Sequence, residues 1–336
     1  MRVAIVIPCR NEQRYIGRCL QSIVDCNYPK DLLRVWVSDG RSDDSTRDIV
    51  NEYAKQHAWI GLLDNELRTT PVALNLGIKN SPDADAVIIL GAHAEVLPDF
   101  VSRNVELLQE DPAAGCVGGL IENVNEDEVS EAIGAAMSSA FGVGNAHFRT
   151  GGSEGYVDTV AFGAYRKEVF EKIGLFDEEL TRNQDDEFNY RVIKAGFRIR
   201  LWSAIRSRYY VRASFRKLLR QYYQYGYWKV YVNKKHGAIT TLRQLVPLGF
   251  VLFLFSGSIW PLLSWKLALA WTGILLLYVA GAFFFALRKS ASPKKVLRIV
   301  WAFVCLHAGY GFGYLRGLID FFLLGRKPGR GSALTR

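Results

Sequence analysis

Short apolar runs broken by polar turns fill the first part of the chain. "VAIVIP" (3–8) is one such run, stopped by a proline, and it predicts a buried strand. After it, Ile16, Cys19, Leu20 and Ile23 recur at helical spacing within "EQRYIGRCLQSIVD". "LRVWVSDG" predicts a second strand, and "DDSTRDIVNEYAKQ" a helix with acids and Ser or Thr at its start. "WIGLL" predicts a third strand, and "TTPVALNLGIKN" a helix with its proline in the first turn. "AVIIL", "DFVSRNVELLQED" and "GCVGG" continue as strand, helix and strand. Such alternation predicts an α/β fold, a mostly parallel sheet with helices on both faces. Ligands of these sheets bind beyond the carboxyl ends of the strands. Three polar clusters fall there: "PCRNE", "SDGRSDD" and "GAHAE".

The pattern changes after residue 212. "FRKLLRQYYQYGYWKVYVNKK" (215–235) carries aromatic and cationic residues at helical spacing. That suits a helix in a membrane interface, with Lys and Arg snorkelling and Tyr and Trp at headgroup depth. Three apolar segments follow, "LVPLGFVLFLFSGSIWPLLS" (245–264), "LALAWTGILLLYVAGAFFFAL" (267–287) and "IVWAFVCLHAGYGFGYL" (299–315). The first two carry no charge and reach the roughly 20 residues that span a bilayer. Little more than Trp265 and Lys266 parts them, which predicts a tight hairpin. The third is shorter and glycine-rich, with Arg316 and Asp320 behind it, and either spans or lies at the interface. The expected organisation is a globular domain over 1–212, interfacial helices over 213–243, a membrane region over 244–325 and a basic tail over 326–336.

The net charge of +9 conceals a split: every acid except Asp320 precedes Phe188, while 25 of the 42 basic residues follow it. Nucleic acid is one partner for so basic a surface. Beside long apolar segments, anionic lipid headgroups are the plainer one, and nucleic acid is not expected. The basic loop "RKSASPKKVLR" (288–298) is expected on the cytoplasmic side. Two spans before it put the N-terminal domain there too, in a multi-pass inner or plasma-membrane protein. Five scattered cysteines without a C-x-x-C pair agree with a reducing compartment. "MRVAIVIPCRNE" does not read as a signal peptide. The first strand is followed by neither G-x-G-x-x-G nor a P-loop, so neither a dehydrogenase nor an NTPase is indicated. Carboxylates and amides at strand ends suit a base, a ribose and a hydrated metal diphosphate instead.

These segments resemble the family 2 glycosyltransferases, inverting, sugar-nucleotide-dependent enzymes with a GT-A fold. "VAIVIPCRNEQRYIGRCLQSI" is similar to their opening strand and helix, and "VWVSDGRSDDST" to their second strand. "PVALNLGI" is similar to their A-L-N-x-G helix, and "GAHAEVLPDF" stands where they carry D-A-D-x-x-x-P-D-F. "YRKEVFEKIGLFDEEL" and "NQDDEFNYRVIKAGFRI" resemble the acceptor-side and E-D-x-D-L-x-x-R segments. The likeness covers residues 3 to about 230, in order, and is strongest to the membrane-attached, succinoglycan-type exopolysaccharide glucosyltransferases. It implies a Rossmann-like GT-A domain followed by transmembrane helices. The implied activity is transfer of a sugar from a nucleotide-sugar donor, UDP foremost, to a polyprenyl-linked glycan or exopolysaccharide precursor at the membrane.

The resemblance also implies roles. Asp39 is given the base or ribose; the alternative is a helix cap. Pro8, Arg10, Asn11 and Glu12 line the first strand's exit as nucleotide contacts, though Asn11 equally suits a cap. Arg68 falls near the leaving diphosphate, where a guanidinium fork fits phosphate oxygens, or is an ordinary surface arginine. Gly91 replaces the first Asp of the metal motif and His93 the last. His93 is then a ligand for Mn²⁺ or Mg²⁺, the former more natural, or a hydrogen-bonding histidine. Glu95, two residues on, is a possible substitute ligand; loss of metal dependence is the other outcome. Aligning Arg191 with the family's Arg puts Asp185 in the place of the catalytic base, with Asp186 as runner-up. Gln221, Gln224, Tyr225 and Trp228 occupy the place of the processive enzymes' Q-x-x-R-W acceptor motif without its Arg-Trp pair. The rival to an active enzyme is a catalytically silent sugar-nucleotide-binding scaffold at the membrane.

Overall fold

The run that opens the chain is buried on both faces in the computed structural model of the protein. Strand β1 (Val3–Cys9) sends Val3, Ile5 and Ile7 into one hydrophobic cluster and Ala4 and Val6 into another. A strand covered on both sides reads as an unbroken apolar run. The structure describes residues 1–151, 154–211, 213–240 and 242–327. It divides into two compact units: residues 1–123 with 147–210, and 124–146 with the chain from Val211 onward.

The first unit continues with α1 (Ile16–Val24), β2 (Leu33–Asp39), α2 (Thr46–Gln56), β3 (Ile60–Asp64) and α3 (Thr70–Lys79). Next come β4 (Ala86–Ile89), β5 (Ala94–Val96), α4 (Phe100–Glu110) and β6 (Ala114–Val124). The chain then passes through α5 (Glu128–Met137) and α6 (Ala140–Val143), which belong to the second unit. It returns as α7 (His147–Thr150), β7 (Gly155–Val157), β8 (Ala161–Arg166), α8 (Lys167–Ile173), α9 (Gln184–Lys194) and β9 (Arg198–Tyr210). The sheet runs β3-β2-β1-β4-β8-β6-β9-β5, with β7 also on β9. Helices α1, α2 and α4 cover the face of Ile5 and Ile7; α3, α8 and α9 cover the face of Val6.

The sheet is mixed. Strands β1 to β4 pair in parallel. β8 runs antiparallel to β4 and to β6, and β5 and β7 run antiparallel to β9. The parallel half is the half whose alternation was legible. The antiparallel strands need no helical crossover, so no alternation announces them.

The second unit holds α5 and α6 together with α10 (Phe215–His236), α11 (Val246–Ser256), α12 (Trp260–Leu263), α13 (Trp265–Leu287) and α14 (Pro293–Leu318). The uninterrupted domain expected over 1–212 is therefore corrected. Segment 124–146 leaves it because α5 buries Ala132, Ile133, Ala136 and Met137 and contacts α14. Glu128 and Glu131 pair with Arg298 and Lys295 at the same junction.

The segment expected to be a first span is broken into α11 and α12 around Gly257. Together with α13 it still forms a hairpin. Phe250 stacks on Tyr278 at 4.5 Å and Phe253 on Trp271 at 5.3 Å, and Trp271 Nε1 donates to the Phe253 carbonyl. Two described helices are long and apolar enough to cross a membrane, Trp265–Leu287 and Pro293–Leu323. The first has 6% of its apolar window buried and the second 56%. α14 is largely a packed helix, and half the basic loop predicted over 288–298 is its first turns. Its glycines explain the packing. Added Cβ atoms on Gly313 and Gly309 would meet the Tyr223 and Leu219 carbonyls at 1.9 and 2.8 Å. One on Gly317 would meet the Tyr227 carbonyl at 2.8 Å, and one on Gly226 of α10 the Tyr310 carbonyl at 2.0 Å. α10 is thus no free interfacial helix; Trp228 and Lys229 are buried within the unit. Of the basic tail, residues 328–336 lie outside the described residues.

Candidate active site

Strands β1, β2, β3 and β4 all end at one edge of the first unit, and their exit loops carry most of the polar candidates. Helix α9 brings Asp185 and Asp186 to the same edge. β9 starts where the Arg198 N–H donates to the Ala113 carbonyl, at the beginning of β6. Both β6 and β4 run antiparallel to β8, so that is the edge where the parallel strands begin. α9 ends shortly before it, so its first turn lies at the opposite edge. Asn189 Nδ2 donating to Thr159 Oγ1 (3.1 Å), just before β8, holds it there. Asn183, left-handed at φ +61°, starts α9, and Asp185 is exposed and Asp186 half-buried on its first turn. Buried Glu187 holds Arg191 through two bonds of 2.8 and 2.9 Å. Of the acids 185 to 187, this one is committed to the fold.

The first two exits are stitched together. The Asn11 N–H donates to Ser42 Oγ (2.8 Å) and its side-chain carbonyl accepts from the Asp43 N–H (3.1 Å). The Glu12 N–H donates to Thr46 Oγ1 (2.8 Å). Asn11 is not the cap of α1, which begins after Tyr15. Pro8 is half-buried opposite Ser38.

Asp39 is fully buried. It accepts from the Ser42 N–H (2.9 Å), the Ser42 hydroxyl and Arg47 Nη1 (2.9 Å). Its carboxylate closes its own turn, and a base or ribose reaches it only if Ser42 or Arg47 gives way. Arg47 also donates to Asp64 Oδ1 at 2.9 Å, and that bond holds the Asp64 carboxyl below the usual carboxylate range. Arg68 is exposed at the start of α3, with φ +57°. Gly40 lies between it and Arg10: a Cβ there would be 3.4 Å from Arg10 Cβ and from Arg68 Cα.

Among the described residues, five that are not glycine have positive φ: Asn11, Arg41, Arg68, Phe162 and Asn183. All five border this edge. Non-glycine residues adopt such backbone rarely, and such strain concentrates at functional sites.

The fourth exit answers the metal expectation. His93 Nδ1 stands 3.5 Å from Glu12 Oε1, and its ring meets Tyr209 edge-on at 4.9 Å. Glu95, the possible substitute ligand, accepts from the Tyr210 hydroxyl and lies 3.9 Å from Arg208 Nη1. Among the described residues no group of three His, Cys, Asp or Glu side chains is placed to hold a metal ion. The protein's own side chains therefore do not by themselves make a site that would hold an ion before the nucleotide arrives.

Residues 4–174 match the profile of glycosyl transferase family 2. A dolichyl N-acetyl-α-D-glucosaminyl phosphate 3-β-D-2,3-diacetamido-2,3-dideoxy-β-D-glucuronosyltransferase of Methanococcus voltae is 32% identical over 329 residues, covering 94% of this chain and 97% of that one. The chain belongs to glycosyl transferase family 2. A second family relative, the succinoglycan biosynthesis protein ExoA of Rhizobium meliloti, is 30% identical over 318 residues, 94% of this chain and 95% of its own. Among solved structures, the mannosyltransferase PcManGT of Pyrobaculum calidifontis, in complex with GDP-Man and Mn²⁺, superposes with a TM-score of 0.60. It is 18% identical over 95% of this chain and 87% of that one, so the likeness is one of fold.

This family 2 glycosyltransferase places its four acceptor-motif candidates in the second unit. Gln221 is buried and donates to the Tyr225 hydroxyl (2.7 Å), and Gln224 and Tyr225 are half-buried. Trp228 is fully buried, edge-on to Tyr227 and Tyr231. The expected headgroup position of Trp228 is corrected: it is buried among the rings of Tyr227, Tyr231 and Phe321. Sequence reasoning missed Arg47, Asp64, Phe162 and Tyr209. Arg47 and Asp64 stand at a helix start and a strand exit and were findable by position. Phe162 and Tyr209 lie on antiparallel strands, and nothing in their spacing marks them.

Proposed function

We propose that the protein is a membrane-seated inverting glycosyltransferase. It takes a sugar from a nucleotide-diphosphate donor, UDP in first place, and transfers it to a polyprenyl-linked glycan or exopolysaccharide precursor. The observation that carries this reading is the placement of Asp185, exposed on the first turn of α9, at the edge where β1, β2 and β4 end. The relatives support the acceptor class, since one is named for a dolichyl phosphate-linked sugar and another for succinoglycan biosynthesis.

In this mechanism the acceptor's hydroxyl oxygen attacks the anomeric carbon from the face opposite the diphosphate. The bond to the diphosphate oxygen breaks, and Asp185 takes the hydroxyl proton as general base. Asp186, one residue on and half-buried, is the runner-up. Pro8, Arg10, Asn11, Glu12 and Arg68 face the donor; Asp39 closes the turn whose Ser42 and Asp43 hold Asn11. Gln224 and Tyr225 are the acceptor candidates that keep exposed surface. The hairpin of α11, α12 and α13 seats the protein in the bilayer, with the first unit in the cytoplasm.

The test is nucleotide release by detergent-solubilised protein from UDP-, GDP- and dTDP-sugars, with a polyprenyl-phosphate-linked acceptor. Acceptor-dependent release from one donor is expected. Nucleotide binding without release from any donor would favour the silent scaffold, for which Gly91 in the metal motif is the supporting feature.

A further inference from the structure

A side chain at position 91 would crowd Phe162. A Cβ on Gly91 would stand 3.2 Å from Phe162 Cε1 and 3.7 Å from Cζ. Phe162 reaches this place from a left-handed backbone, φ +48°, a conformation disfavoured for a bulky residue and held only when its surroundings dictate it. The ring therefore stands where the first side chain of a metal motif would leave the strand. No three His, Cys, Asp or Glu side chains gather here among the described residues. His93 lies between Glu12 and Tyr209, and Glu95 is tied to Tyr210 and Arg208. A lone imidazole is a poor ligand for Mg²⁺, which prefers oxygen, and a single neutral ligand holds even Mn²⁺ weakly.

A nucleotide's diphosphate still needs counter-charge. Arg10 at the exit of β1 and Arg68 before α3 are rooted on either side of Gly40. Arg68 also takes a left-handed backbone, as Asn11 does next to Arg10. Guanidinium forks match phosphate oxygens in pairs and keep their charge at every working pH.

We propose that this glycosyltransferase binds its donor's diphosphate through Arg10 and Arg68 without a resident divalent metal, Phe162 having taken the place of the missing ligand. The proposal rests on the part of the proposed function that has this protein bind a nucleotide-diphosphate sugar.

The experiment is calorimetric titration of the full-length protein in detergent with UDP, GDP, dTDP and uridine, in Mn²⁺, in Mg²⁺ and in EDTA. The expected result is that one nucleoside diphosphate binds with a Kd changing by less than about threefold among the three conditions. Arg10→Gln and Arg68→Gln should each weaken that diphosphate about tenfold while leaving the nucleoside's affinity unchanged. Electron paramagnetic resonance of Mn²⁺ should show the free-ion signal undiminished by protein beyond what the nucleotide alone removes. Tightening of the diphosphate by Mn²⁺ of about tenfold or more, lost in His93→Ala, would overturn the proposal. Failure of all three diphosphates to bind in every condition would overturn the transferase reading and this proposal with it. Metal-independent binding without catalysis would leave the proposal standing and sink only the transferase reading. Gly91→Asp with Phe162→Ala supplies a second check, because reopening the position should make diphosphate binding respond to Mn²⁺. Its melting temperature establishes folding, and the wild-type titration decides the question if the variant does not fold.

Discussion

Asp185 and Asp186 are adjacent, yet the helix gives them different surroundings. Asp185 is exposed at the strand-exit edge, whereas Asp186 is half-buried and Glu187 is spent on Arg191. Only a carboxylate open to the acceptor can take its proton. We expect Asp185→Asn to lower kcat by about 10²- to 10⁴-fold with donor affinity kept within about twofold. Steady-state kinetics with a donor-binding isotherm checks this. A loss confined to Asp186→Asn would move the base by one residue. Residue order made the acids legible, since the motif places them relative to Arg191. It did not reveal that Asp39 would be consumed by Ser42 and Arg47. A carboxylate at a strand exit looks the same in sequence whether it faces a ligand or its own turn. Phe162 beside Gly91 was equally illegible, because the contact depends on strand register across the sheet.

Among the elements, the parallel strands and their helices were legible because apolar runs buried on both faces and amphipathic helices leave strong periodic signals. β5, β7 and β9 pair antiparallel at the far side of the sheet, with half-buried and exposed residues mixed along them, and they leave weak ones. The glycines of "GYGFGYLRG" were visible, but their meaning was not. Gly309, Gly313 and Gly317 recur every four residues along one face of α14, the face on which α10 lies, whereas Gly311 meets the Pro247 carbonyl of α11 at 2.2 Å. Small residues at this spacing let helix backbones approach closely. A methyl on Gly313 would sit 1.9 Å from the Tyr223 carbonyl, so the helices would have to part. We expect Gly313→Ala to destabilise the protein by about 1–3 kcal/mol, the usual penalty of overpacking. Gly273→Ala, on α13 with nothing within 4 Å of the added carbon, should leave the melting temperature unchanged or raise it slightly, since Ala is the better helix former. Equal effects of the two substitutions in a thermal melt in detergent would refute the close crossing.

For the whole molecule, the basic half of the chain is less of a lipid-facing surface than its charge implies. Lys294, Lys295 and Arg298 pair with Glu128 and Glu131 within the second unit, and Arg316 and Arg326 converge on buried Asp320. In the proposed reading, attachment to the membrane therefore rests chiefly on apolar surface. α13 supplies it: Leu276 is 62% exposed and Leu277 73%, on a helix of 23 residues apolar all round. A helix of this kind is buried in a bilayer or against another protein. Lipid should cover it, so the full-length protein should remain in the membrane pellet after alkaline carbonate washing. Leu276→Arg with Leu277→Arg puts two charges near the middle of the helix, each costing about 3 kcal/mol at a bilayer centre. That variant should shift to the soluble fraction while the folded first unit keeps its affinity for nucleotide. Release of the wild-type protein by carbonate would mean that something other than lipid covers α13. Sedimentation at rising concentration would then reveal a second copy if that is the cover, because isologous burial of such a face makes the dimer concentration-dependent.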